Sequence, residues 1–235
     1  MAWSPDGSLL ASGSYLHGVQ VWDMEERCRR WVGCPLSTRV RHLVWNPDGT
    51  RLVGGGDDGH IYLWDGSDGT LLQQLEGHQG VVTSVAWSSD GTRLASAGRS
   101  RGCGEMVVWD TQSWQRIRTF AENRSIIYTV AWSASEDEFI SGDSDGMLRW
   151  WDVQNGECIR VRKAHMGTIW SLKRSLDGSR LASCGDDGVI MLWDLCNGEQ
   201  LSTLRRDRPY ERLDITGIRG LTEAQKTTLQ GLGAI

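Results

Sequence analysis

The chain has 235 residues, with 25 lysines and arginines against 30 aspartates and glutamates, for a net charge of −5. This mild acidity offers no general surface for nucleic acid or anionic membrane. No basic-then-apolar leader opens the chain and no apolar run approaches the ~20 residues a membrane helix needs, so a soluble, cytoplasmic protein is expected.

Six cysteines (Cys28, Cys34, Cys103, Cys158, Cys184 and Cys196) fall at no metal-ligand spacing and form no C-x-x-C pair. That pattern predicts reduced thiols rather than a disulfide framework. Lysine occurs only at Lys163, Lys173 and Lys226, so nearly all the positive charge is arginine, suited to local recognition of carboxylates or phosphates.

Trp-Asp pairs recur at Trp22-Asp23, Trp64-Asp65, Trp109-Asp110, Trp151-Asp152 and Trp193-Asp194, at intervals of 42, 45, 42 and 42 residues. Trp3, Trp45, Trp87 and Trp132 keep the same beat, each ahead of a turn such as Ser4-Pro5-Asp6-Gly7. A fixed period near 42 means one supersecondary unit copied several times.

The chain opens at Met1-Ala2-Trp3, midway through a first strand, and its first hairpin carries Tyr15 and His17. In the second and third repeats Asp48-Gly49 and Asp90-Gly91 mark the first hairpin. Asp57-Asp58-Gly59 and Asp143-Ser144-Asp145-Gly146 mark the second hairpin of repeats two and four. The fifth repeat is the clearest. Residues 168–172 read as a strand, Leu176-Asp177-Gly178-Ser179 as a turn, and residues 180–184, 189–193 and 200–204 as three further strands. Asp186-Asp187-Gly188 and Asn197-Gly198 supply the intervening reversals. Four short antiparallel strands per period describe a propeller blade, stable only when neighbours cover both faces. Thirteen tryptophans suit such stacking, since each can bury ~150–250 Å².

After the last strand, residues 208–235 form a tail in which Thr222 and Gln225 have the spacing of a capping box, opening a short helix through about Leu232. The expected division is a five-repeat array over residues 1–207 and a tail over 208–235.

These residues resemble the WD-repeat family, and the likeness covers about residues 1–207. It implies an all-β propeller of five four-stranded blades, either a small ring or the C-terminal part of a longer array, with a short C-terminal helix. The abrupt start favours the longer array, and an open arc would expose apolar faces that invite self-association. The family also implies a buried network of His, Ser or Thr, Asp and Trp within each blade. Repeat five supplies it in full as His165, Ser183, Asp187 and Trp193. The other repeats offer His78, Asp58 with Trp64, and Asp145. The set looks like a catalytic triad, but an indole donor ties it shut and no oxyanion hole is signalled, so a structural role is expected. Repeat three replaces the hairpin Asp with Arg99-Ser100-Arg101-Gly102-Cys103-Gly104-Glu105, a longer loop. Repeats four and two have Glu122-Asn123 and Gly33-Cys34 where Gly-His belongs. Less rigid bracing is expected in repeats one to four.

Residues entering the innermost strands are Arg41, Thr83, Tyr128 and Trp170, a position that in relatives contacts partner peptides. Arg99, Arg101, Arg124, Tyr15 and His17 lie beside them. Aromatic and arginine side chains together suit an extended acidic or polar segment. The alternative is that they fill the channel or stay solvated. Asp143-Ser144-Asp145-Gly146 begins like a calcium loop, but its twelfth position is Gln154 rather than Glu, and no metal or cofactor is expected. An enzyme would need titratable groups converging on His42, and none aligns with it. The expected function is a non-catalytic protein-interaction scaffold, with a partnerless spacer as the alternative. The tail also resembles the terminal segment of bacterial WD-repeat proteins bearing a signalling ATPase module. No G-x-x-x-x-G-K-[ST] loop occurs here, so such a module would lie upstream.

Overall fold

The computed structural model describes residues 1–14, 18–33, 36–100, 102–123, 125–133, 135–205, 214–216 and 221–231. Among them are five four-stranded antiparallel sheets, each with its strands in chain order. Blade one holds β1 (Ala2–Trp3), β2 (Leu9–Ser14), β3 (Gly18–Asp23) and β4 (Cys28–Val32). Blade two holds β5 (Val40–Trp45), β6 (Arg51–Gly56), β7 (His60–Asp65) and β8 (Leu71–Glu76). Blade three holds β9 (Val82–Trp87), β10 (Arg93–Ser100), β11 (Cys103–Asp110) and β12 (Arg116–Asn123). Blade four holds β13 (Ile127–Trp132), β14 (Glu138–Asp143), β15 (Met147–Asp152) and β16 (Cys158–Lys163). Blade five holds β17 (Ile169–Arg174), β18 (Arg180–Gly185), β19 (Val189–Asp194) and β20 (Gln200–Arg205), within two residues of the strands read from repeat five.

The repeated Trp-Asp pair splits its work. The Trp packs between sheets, while the Asp accepts backbone N–H groups in the next turn. Asp152 takes those of Gln154 and Asn155 at 2.7 and 3.0 Å, and Asp194 those of Cys196 and Asn197 at 2.8 and 3.1 Å. The earlier turn is held likewise: Asp6 accepts from the Ser8 amide at 3.0 Å, and Gly7 takes a φ of 75° that a side chain would resist.

Blades pack serially. One apolar cluster lies at each joint, as with Val53, Ile61 and Leu63 of blade two against Val82, Val85 and Trp109 of blade three. The remaining clusters join blades one and two, three and four, and four and five. Among the described residues, no cluster joins blade five to blade one. Small residues set the spacing. A Cβ on Gly55 would stand 2.5 Å from Val82, and one on Gly142 2.7 Å from Ile169.

The inner strands of blades two, three and four each hand a side-chain acceptor to the next. The Val85 amide donates to His42 Nδ1 at 3.2 Å, the Val130 amide to Ser84 Oγ at 3.3 Å, and the Leu172 amide to Thr129 Oγ1 at 3.1 Å. These positions are equivalent in successive repeats. Strand amides that face away from their own sheet are thereby satisfied across the joint.

Bracing within the blades departs in part from the sequence expectation. In blade five, His165 Nδ1 lies 2.9 Å from Asp187 and Nε2 lies 2.8 Å from Ser183 Oγ, which accepts the Trp193 indole at 2.9 Å. Blade three, expected to be weaker, is braced as fully. His78 Nδ1 meets Glu105 at 2.8 Å, Nε2 meets Ser96 at 2.8 Å, and the Trp109 indole reaches Ser96 at 2.9 Å. The extra residues there lengthen β10 and β11 instead of forming a loop, and the longer Glu side chain reaches the place of the missing Asp.

Blade two corrects the expectation for Asp58 and Trp64. Gly54 stands where the serine would be, so among the described residues the buried Trp64 indole N–H makes no hydrogen bond, and Asp58 instead accepts from Tyr62 OH at 2.6 Å. Asp145 is likewise outside any His–Ser–Trp set, since blade four keeps only the Trp151 to Ser141 bond at 2.9 Å. Its buried charge is Asp143, paired with Arg149 and capped by the amides of Asp145 and Met147. In blade one the Trp22 indole reaches Ser12 at 3.4 Å.

Beyond the blades, α1 (Glu223–Gly231) begins with the reciprocal cap read from the sequence. The Thr222 amide donates to Gln225 Oε1 at 2.9 Å and the Gln225 amide to Thr222 Oγ1 at 3.3 Å. The expected boundary at residue 207 and the helix end at Leu232 lie outside the described residues.

Candidate interaction face

The inner strands of blades two to five, with Pro5 of blade one, line a central cavity of about 480 Å³, and Thr83, Tyr128, Trp170, His42 and Lys173 reach its wall. Thr83, Tyr128 and Trp170 are therefore brought together. Arg41 and Arg99 are exposed and lie outside the cavity wall. Arg101, Arg124, Tyr15 and His17 lie outside the described residues.

A constant offset organises this end of the molecule. In blades two and five the inner-strand residue faces the residue sixteen positions later, in the second hairpin: Arg41 faces Asp57 and Trp170 faces Asp186. Arg41 forms an ion pair with Asp57. The Trp170 indole donates to Asp186 Oδ1 at 2.6 Å, and the Thr168 amide donates to Oδ2 at 2.9 Å. Those bonds, the indole's foremost, hold the Asp186 carboxyl below its ordinary range. Asp57 and Asp186 were not singled out from sequence, although the sixteen-residue offset within two aligned Asp-Asp-Gly hairpins is the signal that could have found them.

Trp170 is 53% exposed, although its indole is anchored. Its ring meets Tyr128 edge-on at 4.7 Å and 61°, so two blades together present one aromatic wall. Thr83 behaves differently. Its hydroxyl lies 2.7 Å from the Ile127 carbonyl and 3.1 Å from that of Ala97, so its polar group is committed to the joint between blades three and four. Arg99 projects from the end of β10 with no ion-pair partner among the described residues. Lys173 on the cavity wall adds a second cation.

Among the described residues His42 has no carboxylate or hydroxyl partner to activate. Burial, helped by the Lys173 ammonium, pushes its pKa down to about 4, so at neutral pH the ring is uncharged and its Nδ1 serves as the acceptor for Val85. Among the described residues no three His, Cys, Asp or Glu side chains are grouped to hold a metal ion.

Five four-stranded antiparallel blades packed in series around a central cavity define a class, the β-propellers. Comparison with known families agrees. Residues 1–90 match the WD40 domain of anaphase-promoting complex subunit 4, and residues 114–152 and 156–194 each match the G-beta-type WD domain. No curated protein matches the chain. The chain is a WD-repeat protein, similar over its first two blades and the inner strand of the third to the subunit 4 domain.

Proposed function

We propose that this protein is a non-catalytic scaffold that binds an extended acidic or polar protein segment across the channel mouth. The observation that carries this reading is the exposed Trp170, held by Asp186 and backed by Tyr128, with Lys173 on the same wall. Rigid blades fix these groups in advance, so binding loses little loop entropy. Anchored aromatic side chains of this kind carry much of the energy at protein interfaces. Exposed, unpaired Cys28, Cys103, Cys158 and Cys196 support a reducing, cytoplasmic setting. The likeness of the tail to bacterial WD-repeat ATPases supports a place as the recognition end of a larger signalling protein.

Peptides selected from a random library against the purified protein provide the test. Trp170→Ala or Tyr128→Ala should weaken the selected binders by about 1–2 kcal/mol, roughly five- to thirtyfold, while the fold is kept. Peptides of basic rather than acidic or polar character, or affinities unmoved by both substitutions, would overturn the assignment.

A further inference from the structure

The two ends of the array expose complementary halves of one joint. At the position three residues before each Trp of the Trp-Asp series, Val19, Ile61, Met106 and Leu148 are 0–1% exposed because the next blade covers them. Its counterpart in blade five, Ile190, is 44% exposed, and Leu204, which pairs with it across the sheet, is 53% exposed. The opposite face of blade one is also open. Trp22 is 38% exposed and Trp3 55%, whereas Trp64 and Trp45, their counterparts in blade two, are 0% and 5%.

Polar groups repeat this pattern. Ser171 follows His42, Ser84 and Thr129 in the series of inner-strand acceptors, and among the described residues it alone receives no amide from a following blade. At the other end, Trp45 and Trp132 donate their indoles to the Ala2 and Ala86 carbonyls of the preceding blade, at 3.2 and 2.9 Å. Trp3 holds the same position, and among the described residues its indole, like that of Trp87 in the series, has no such acceptor. The counterpart of those carbonyls in blade five is that of Lys173.

Steric fit narrows the occupant further. Where Gly13, Gly55, Ala97 and Gly142 leave room for a β-branched residue of the next blade, blade five has Cys184. A blade bearing a Val or Ile there, as blades two to five do at Val40, Val82, Ile127 and Ile169, would collide with that thiol. The inner strand of blade one, Ala2–Trp3, carries no such side chain.

From these observations we infer that the open face of blade five docks onto the open face of blade one of a second copy, head to tail. The joint continues the blade-on-blade packing seen four times within the chain. Such a contact is heterologous, so one copy uses a different face from its neighbour and association can extend beyond a dimer.

Sedimentation equilibrium on the 235-residue protein tests this. The weight-average mass should rise from monomer to at least twofold between about 1 and about 100 µM, a range spanning ordinary protein–protein affinities. Ile190→Asp, and separately Trp3→Glu, should each weaken self-association about tenfold or more, because each buries an unpaired charge. Mixed in equal amounts, the two variants should recover a discrete dimer, since each keeps the face the other has lost. Near-UV dichroism of the tryptophans checks folding, and Met24→Glu on the same face of blade one replaces Trp3→Glu if that variant fails. A wild-type monomer throughout the range, variants that associate undiminished, or a mixture that yields no dimer would each overturn the inference.

Discussion

At the scale of single residues, the same position takes different chemistry in different blades, and the surroundings decide which is tolerated. Ser96 Oγ accepts the Trp109 indole and lies 2.8 Å from His78 Nε2, so Ser96→Ala leaves two buried polar groups without a partner. A loss of about 1–3 kcal/mol is expected, read as a fall in Tm of roughly 2–4 °C per kcal/mol. Glu105→Ala should cost less, because it strands only one ring nitrogen of His78. Blade two gives the opposite case. Gly54→Ser would supply the hydroxyl that Trp64 lacks, yet a Cβ there would stand 2.8 Å from Val40 and 2.9 Å from Leu43. Overpacking should therefore outweigh the new hydrogen bond, and urea denaturation should show a net loss of about 1–3 kcal/mol. His42 adds a pH dependence. Its folded pKa lies near 4, below the 6.5 of the free side chain, so its contribution to stability is complete above pH 6.5 and falls as pH drops toward 4. Urea midpoints measured at pH 7 and pH 4.5 should differ by more in the wild type than in His42→Gln.

At the scale of elements, the turns were the most legible part of the sequence. Asp-Gly pairs named their own conformation, and in repeat five they bounded each strand to within two residues. Bracing was less legible, because it depends on where side chains reach. Reading Glu105 as part of a loop missed it, since only the pairing of Cys103 with Ser100 and of Glu105 with Gly98 shows the hairpin extending as strand. The silent change from Ser to Gly at Gly54 likewise carries no sign of an unpaired indole until Trp64 is seen beside it. The top-face alignment picked out Arg41 and Trp170 but not their sixteen-residue partners, because pairing across a hairpin is a register property. The turns also set an acid limit. The Ser4 hydroxyl lowers the Asp6 carboxyl to about 2, and the Ser175 hydroxyl does the same for Asp177. Both depressed carboxyls favour the folded state above their ordinary pKa of 3.8, and that contribution is lost as pH falls toward 2. Asp177→Asn should flatten the decline in stability between those values, as followed by far-UV dichroism in urea.

For the molecule as a whole, the inner-strand series from His42 to Thr129 protects against misassembly. The innermost strand of a four-stranded sheet is an edge, and unpaired edge amides are templates for pairing with another chain. Here the outward amides of Val85, Val130 and Leu172 are consumed sideways by the preceding blade. Several outer edges are guarded differently, with Arg29 and Arg30, Arg116 and Arg118, and Arg160, Arg162 and Lys163 set along β4, β12 and β16. Charged residues of this kind discourage edge-to-edge addition. Substituting one inner acceptor should therefore be felt in solution before it is felt in the melting curve. Ser84→Ala removes a single bond at a buried joint, yet it frees the Val130 amide on an apolar strand. Its expected signature is a rise in thioflavin-positive aggregate during refolding at high protein concentration, with a native state nearly as stable as the wild type.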